Sequence, residues 1–263
     1  MNNISDRSLF ATKVAKEAGA LATRYFGNRD TLVVDTKGAQ DWVSEADRNV
    51  ETFVREKIAE AYPDDGIFGE EHAAKTGSSG FDWVIDPIDG TTNFVNGIPA
   101  WTIVLAIVSE RQTQIGVIHE PNVGETYVAM RGAGATLNGK PMQVASDVDM
   151  ASGTVSVGYS NRIEAAKVIP IISDIIERGA MYHRNASGAL SLAYVAAGRL
   201  LGYVEEHMNA WDCLAGQLMI DEAGGVIEKQ DADKMIRDGG RVIAGTPKVF
   251  DELKAICEAA WRV

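Results

Sequence analysis

Trp83-Val84-Ile85-Asp86-Pro87-Ile88-Asp89-Gly90-Thr91-Thr92-Asn93-Phe94 joins an apolar run to two aspartates, a glycine and two threonines. The apolar residues predict a buried strand, and Pro87 is expected to end its regular pairing. The Asp-x-x-Asp spacing lets two carboxylates converge from one turn on a hard cation such as Mg²⁺. Gly90 permits backbone amides to approach an anion closely, and Thr91 and Thr92 bring hydroxyls to the same spot. Asp89-Gly90 alone reads as a turn closing an ordinary loop. The rest of the chain decides against that.

The composition is that of a compact enzyme. With 263 residues, 46% of them hydrophobic and 24% charged, the chain can bury a large core or two fused half-cores. Cys213 and Cys257 show no Cys-x-x-Cys spacing and read as ordinary thiols on helices. Asp6 and Arg7 interrupt the N-terminal segment, and no stretch of ~18 apolar residues occurs, so a cytoplasmic protein is expected. A formal net charge of −12 argues against nucleic acid or an anionic membrane as a partner.

Asp6 to Phe26 is helical in pattern, with Leu9, Val14, Leu21 and Phe26 on its apolar side and Gly27 as its stop. Ser44 reads as the N-cap of a second helix carrying Val50, Phe53, Val54, Ile58 and Ala61, which Pro63 ends. Asp47 then lies in the first turn, where a carboxylate also caps the helix and favours its dipole, by about 0.3–1 kcal/mol. Strand-like runs follow at Trp101–Val108, Gln114–His119 and Glu125–Met130, then an Asn138-Gly139 hairpin turn, which together predict an antiparallel meander. From about Thr154 the rhythm becomes alternating strand and helix, with helices predicted at Ile163–Arg178, Gly188–Ala197, Ala210–Glu222 and Pro247–Arg262. The boundary is placed near residue 145. It divides the chain into an α+β half, 1–145, and an α/β half, 146–263.

Asp86-Pro87-Ile88-Asp89-Gly90-Thr91-Thr92-Asn93-Phe94 resembles the first signature of the inositol monophosphatase family, within the lithium-sensitive, Mg²⁺-dependent phosphatases. Three further segments match in order: Asp41-Trp42-Val43-Ser44-Glu45-Ala46-Asp47 after Lys37, Gly69-Glu70-Glu71, and Trp211-Asp212 through Glu222-Ala223-Gly224-Gly225. The resemblance implies a layered αβαβα sandwich, most metal ligands coming from the first half and Asp212 and the substrate-reading residues from the second. Two to three Mg²⁺ ions are implied. Glu70, Asp86 and the Ile88 carbonyl would hold the first, Asp86, Asp89 and Asp212 the second, and a weaker third would share Glu70. The implied catalytic group is Thr91 paired with Asp47, activating a water, with Glu70 at the metals and Glu71 positioning water or a ligand. Backbone amides of Gly90, Thr91 and Thr92 would hold phosphate oxygens. Lys37, on a polar loop, is either a gate for metal or phosphate or a plain solvated lysine.

The charge balance gives the cations a reason. Glu70, Asp86, Asp89 and Asp212 together carry about −4 near neutral pH and would repel a phosphate dianion. Two divalent ions supply about +4 and three about +6, which inverts the local field.

For the substrate, Glu205 matches the family glutamate that reads a polyol hydroxyl. Ser187-Gly188-Ala189 resembles the loop touching the inositol ring, and Asp89 and Asp212 would contact the neighbouring hydroxyl. A small phosphorylated alcohol, foremost myo-inositol 1-phosphate, is therefore expected, in a homodimeric, lithium-sensitive enzyme. Glu205-Glu206-His207-Met208-Asn209-Ala210 departs from the commonest family residues. A second acid there would suit the cationic amine of histidinol phosphate, the alternative substrate. A different class of function, a regulator binding the transcription or RNA-processing machinery, is carried by some bacterial relatives.

Overall fold

The computed structural model describes residues 4–38, 41–160 and 163–262, apart from the side chains of residues 31, 36–38 and 41–42. Helix α1 (Ile4–Gly27) precedes the antiparallel strands β1 (Val34–Gly38) and β2 (Asp41–Ser44), then α2 (Glu45–Ala61). Next come β3 (Gly66–Gly69), β4 (Asp82–Asp89), the short α3 (Thr91–Val95), β5 (Thr102–Ser109), β6 (Gln112–Glu120), β7 (Glu125–Met130), β8 (Gly134–Leu137) and β9 (Lys140–Pro141). The remainder alternates: β10 (Thr154–Val157), α4 (Ile169–Glu177), β11 (Met181–His183), α5 (Gly188–Ala196), β12 (Gly202–Met208) and α6 (Ala210–Glu222). The last elements are β13 (Val226–Ile227), α7 (Ala232–Asp238), β14 (Gly240–Gly245) and α8 (Phe250–Ala260).

Strands β3 to β9 form a seven-stranded sheet in chain order, and β11-β10-β12-β14-β13 form a five-stranded mixed sheet. Period-two alternation assigns each strand face to a layer. Trp83, Ile85, Ile103, Leu105 and Ile107 pack with α1 and α2, whereas Val84, Val104, Ala106 and Val108 face α5 and α6. The second sheet repeats the device: Tyr203, Val242 and Ala244 face α5 and α6, while Val204 and Ile243 pack with α4 and α8. The layers are thus α1/α2, sheet, α5/α6, sheet, α4/α8, the αβαβα sandwich. Because both faces of the first sheet are covered, its strands read as unbroken apolar runs.

Four local expectations are corrected. Leu9 is 73% exposed; α1 instead buries Ala11, Val14, Ala15, Ala18 and Ala22, small residues that let the helix approach the sheet closely. The predicted meander is antiparallel throughout, from β5 to β9, but the sheet that contains it is not, since β3 pairs parallel with β4. A parallel pair requires a long crossover, and residues 70–81 supply it. Position 37 falls within β1 rather than a loop, and its side chain lies outside the described residues. Finally, β4 runs through Pro87, with a register shift between Asp86 and Asp89. Proline lacks the ladder N–H and is accommodated at such an irregularity.

These features position the site. In a regular strand, residues three apart point to opposite faces; the irregularity at Pro87 brings Asp86 and Asp89 to one side. The parallel register pairs Gly69 with Ile85, so Glu70 emerges level with Asp86.

Candidate active site

Asp86, Asp89 and Asp212 each offer a carboxylate oxygen, and these oxygens lie within 4.8 Å of one another. Asp86 and Asp89 are buried at the end of β4, and Asp212 reaches them from the first turn of α6. Burial first, and then the charges of Glu70, Asp212 and Asp89, push the Asp86 carboxyl well above its ordinary value. Asp89 is pushed up to about 7 by burial and by Asp212, against hydrogen bonds from Ser187 and from the Ala189 and Leu190 amides. A buried, all-oxygen, mutually repelling donor set is what a hard divalent cation neutralises, so these residues fit Mg²⁺.

Each carboxylate is held by backbone or hydroxyl donors. Ile88 N donates to Asp86 Oδ1 at 2.9 Å. Asp89 accepts from the Ser187 hydroxyl, from Gly188 N at 3.2 Å and from Ala189 N at 3.0 Å. The amino-terminal turn of α5 therefore clamps Asp89, and Ser187 and Gly188 spend their donors there. Asn209 N donates to Asp212 Oδ2 at 3.2 Å, tying that side chain to the start of α6.

Asp47 does two tasks at once. Its Oδ2 accepts from Ser44 N at 2.8 Å and Ser44 Oγ at 2.6 Å, closing the cap of α2, while Oδ1 accepts from Thr91 Oγ1 at 3.1 Å. Capping and site readings thus describe opposite oxygens of one carboxylate. Burial lifts Asp47 to about 6, against the Ser44 hydrogen bonds and with a further push from the Glu71 charge. Thr91 Oγ1 also lies 3.1 Å from Ile88 O, so its single proton is shared between two acceptors.

Gly90 adopts φ 98°, and a Cβ there would meet Ala100 O at 2.9 Å, so only glycine fits this cap of α3. The first amides of α3, from Thr91 and Thr92, lack intrahelical acceptors, as at any helix start. Beside the acids opens a cavity of about 160 Å³, whose lining includes Asp89, Arg184, Ser187, Gly188, Glu205 and Asp212.

A sequence profile described as the inositol monophosphatase family matches residues 4–263. The chain belongs to the inositol monophosphatase family. It is 36% identical over 236 residues to an inositol-1-monophosphatase of Mesorhizobium japonicum, covering 89% of each chain. It is 34% identical over 248 residues to the Nus factor SuhB of Haemophilus influenzae, covering 92% of each. The crystal structure of the suppressor protein SuhB from Bartonella henselae superposes with a TM-score of 0.89 at 31% identity, covering 95% of this chain and 97% of that one. The family is one of metal-dependent phosphatases, in keeping with the acidic cluster.

Sequence reasoning missed Glu51. It is fully buried, and its carboxylate accepts from Glu71 N at 2.7 Å, His72 N at 3.3 Å and Arg55 Nε at 2.6 Å, pinning the segment that carries Glu70 and Glu71. A Cβ at position 69 would collide with that carboxylate, which accounts for the glycine of Gly69-Glu70-Glu71. The signal was present: positions 47, 51, 54 and 58 share one helical stripe, and two acids on an otherwise apolar stripe require partners. Glu206, by contrast, pairs with Lys167 Nζ at 2.6 Å and is absent from the cavity lining.

Proposed function

We propose that this chain hydrolyses the phosphate monoester of a small polyol, myo-inositol 1-phosphate foremost, at the seam between the halves 1–145 and 146–263. The observation that carries the reading is the convergence of Asp86, Asp89 and Asp212 within 4.8 Å beside the Asp47–Thr91 pair. Two to three Mg²⁺ ions, held by Glu70, Asp86, the Ile88 carbonyl, Asp89 and Asp212, would polarise the phosphoryl oxygens and acidify the attacking water.

The chain's own groups do the rest. Thr91, its proton committed to Asp47 and Ile88, presents a lone pair that orients water. Asp47, at about 6, is a better proton acceptor near neutral pH than an ordinary aspartate. The amides of Gly90, Thr91 and Thr92 cradle phosphate oxygens, as the starts of helices do. Glu71 would position water or a neighbouring ligand. Asp89 and Asp212 border the hydroxyl next to the ester, Glu205 accepts a hydroxyl of the departing alcohol, and Ser187 and Gly188 wall the cavity. Lys37 is the remaining candidate for a gate.

The second acid that would suit a cationic amine is not offered to the cavity. Glu206 is already paired with Lys167 and does not line the cavity, and Arg184 offsets part of the negative charge of Asp89, Glu205 and Asp212 there. Phosphate release from myo-inositol 1-phosphate and histidinol phosphate, measured side by side with excess Mg²⁺ and again with chelator, tests this. Mg²⁺-dependent turnover favouring the inositol ester is expected; a preference for histidinol phosphate keeps the chemistry and overturns the substrate.

A second reading, a regulatory protein of the transcription machinery, is favoured by the relatives named Nus factor. Turnover of neither ester, with a partner retained from extract at physiological salt, would establish it instead. The proposal includes a cytoplasmic homodimer inhibited by Li⁺ through competition at the second metal position, and Mn²⁺ suits the same oxygen ligands.

A further inference from the structure

We infer that Tyr203 holds the Glu205 carboxylate in the position that reads a substrate hydroxyl, and thereby sets the preference for polyol phosphates over esters without ring hydroxyls. This rests on the polyol reading above. Tyr203 and Glu205 are two residues apart on β12 and so project to the same side of the strand. The Tyr203 ring is 2% exposed, locked in the core between the second sheet and α5/α6. Its hydroxyl reaches the cavity and donates to Glu205 Oε2. Among the described residues it is the one hydrogen-bond donor to that carboxylate. Arg184, the cation of the cavity, donates instead to Tyr159 O at 3.2 Å.

The third side of the pair is closed by Gly158. A Cβ there would run into both Glu205 Oε2 and the Tyr203 hydroxyl. Burial pushes the Tyr203 phenol well above its ordinary value, so it remains a donor throughout the working pH range. A single donor on one carboxylate oxygen leaves the other free to accept from substrate. It also removes rotamer freedom that binding would otherwise have to freeze. Asp212 repels the Glu205 carboxylate and Arg184 attracts it, so what the tyrosine adds is a fixed orientation.

Tyr203→Phe deletes only the hydroxyl. Steady-state kinetics at saturating Mg²⁺ on myo-inositol 1-phosphate and on p-nitrophenyl phosphate, for wild type, Y203F, G158A and E205Q, test the inference. In Y203F the ratio of the two KM values should rise about three- to tenfold against the inositol ester, with kcat for that ester changing less than KM. A ratio unchanged in Y203F but shifted in E205Q overturns the positioning role alone. A ratio unchanged in E205Q overturns the polyol reading and this inference together. Equal losses on both esters in Y203F would make the tyrosine a structural residue and also overturn it. If Y203F does not fold, G158A decides: crowding the pair must shift the same ratio, and an unshifted ratio refutes the inference.

Discussion

Two sets of buried carboxylates in this molecule meet opposite fates. Asp65, 1% exposed, receives Arg7 Nε at 3.1 Å and Nη2 at 2.9 Å, Ser79 Oγ at 2.6 Å and Trp83 Nε1 at 2.8 Å. The Arg7 guanidinium lies over the rings of Tyr62 and Phe81, at 4.4 and 4.1 Å. Burial alone would raise Asp65, yet the donors led by Arg7 outweigh it and hold the carboxyl below its ordinary value. Asp86, Asp89 and Asp212 are packed against one another instead, and burial plus repulsion drives Asp86 and Asp89 upward. The chain completes the first set itself. The second is the set that the proposed cations would neutralise, and its raised carboxyls are what mark it as a site.

The largest effect that would break this contrast is on turnover. Asp89→Asn removes a charge the cations need and should abolish phosphate release at saturating Mg²⁺, as should chelation of wild type. Its urea midpoint in chelator should vary less with pH than that of wild type, because a buried titrating carboxyl has gone. Near-wild-type turnover would refute the assignment of Asp89 as a ligand.

Arg7→Ala should do the reverse, leaving a buried carboxylate unpaired and costing about 3–5 kcal/mol in urea unfolding. Mg²⁺ binding by calorimetry, in the fraction that remains folded, should keep its affinity. A loss below 1 kcal/mol, measured the same way, would show Asp65 to be solvated.

The smallest effect is in the pH dependence of stability, and it has opposite signs in the two sets. Asp65 titrates lower when folded, so its contribution is present above the unfolded value of about 3.9 and is lost as pH falls through the folded value. Asp89 stands at about 7 when folded, against 3.8 ordinarily. In chelator, its contribution is present below 3.8 and is lost as pH rises through about 7. Urea midpoints from acid to neutral pH should therefore fall at both ends in chelator. Mg²⁺ should restore the neutral limb, and Asp89→Asn should flatten it; a limb that persists in that variant would assign it to other groups.

Much of this was legible in the residues, for identifiable reasons. Helix α6 was predicted at its observed bounds, Ala210–Glu222, because a strong apolar run begins there after Asn209. The Asn138-Gly139 turn was read correctly because both residues need positive φ, found here at 50° and 77°. Helix α4 was predicted from Ile163 but starts at Ile169, with a proline in its first turn, where the missing N–H costs nothing. The buried Arg7 was not legible, since its fate depends on Asp65, 58 positions away, and Leu9 was not because α1 turns its small residues to the sheet. Glu51 escaped because it acts on Glu71 and His72, some twenty positions on, and Tyr203 because only the packing shows that its hydroxyl enters the cavity beside Glu205.

By itself the sequence determined which groups carry chemistry, since the residue types in Asp86–Thr92, Gly69–Glu71 and Trp211–Asp212 fix what can bind a hard cation or a phosphate. The layered sandwich was expected only from the resemblance those motifs carry, because strands covered on both faces read as unbroken apolar runs and do not assign a face. The tertiary structure alone decided that these groups share one site. The shift at Pro87 turns Asp86 and Asp89 to one side, and the parallel β3–β4 pair sets Glu70 level with Asp86. The starts of α2, α5 and α6 bring Asp47, the Ser187 clamp and Asp212 to the end of β4. Distance between segments far apart in the chain is a property of packing, and no local pattern of residues encodes it.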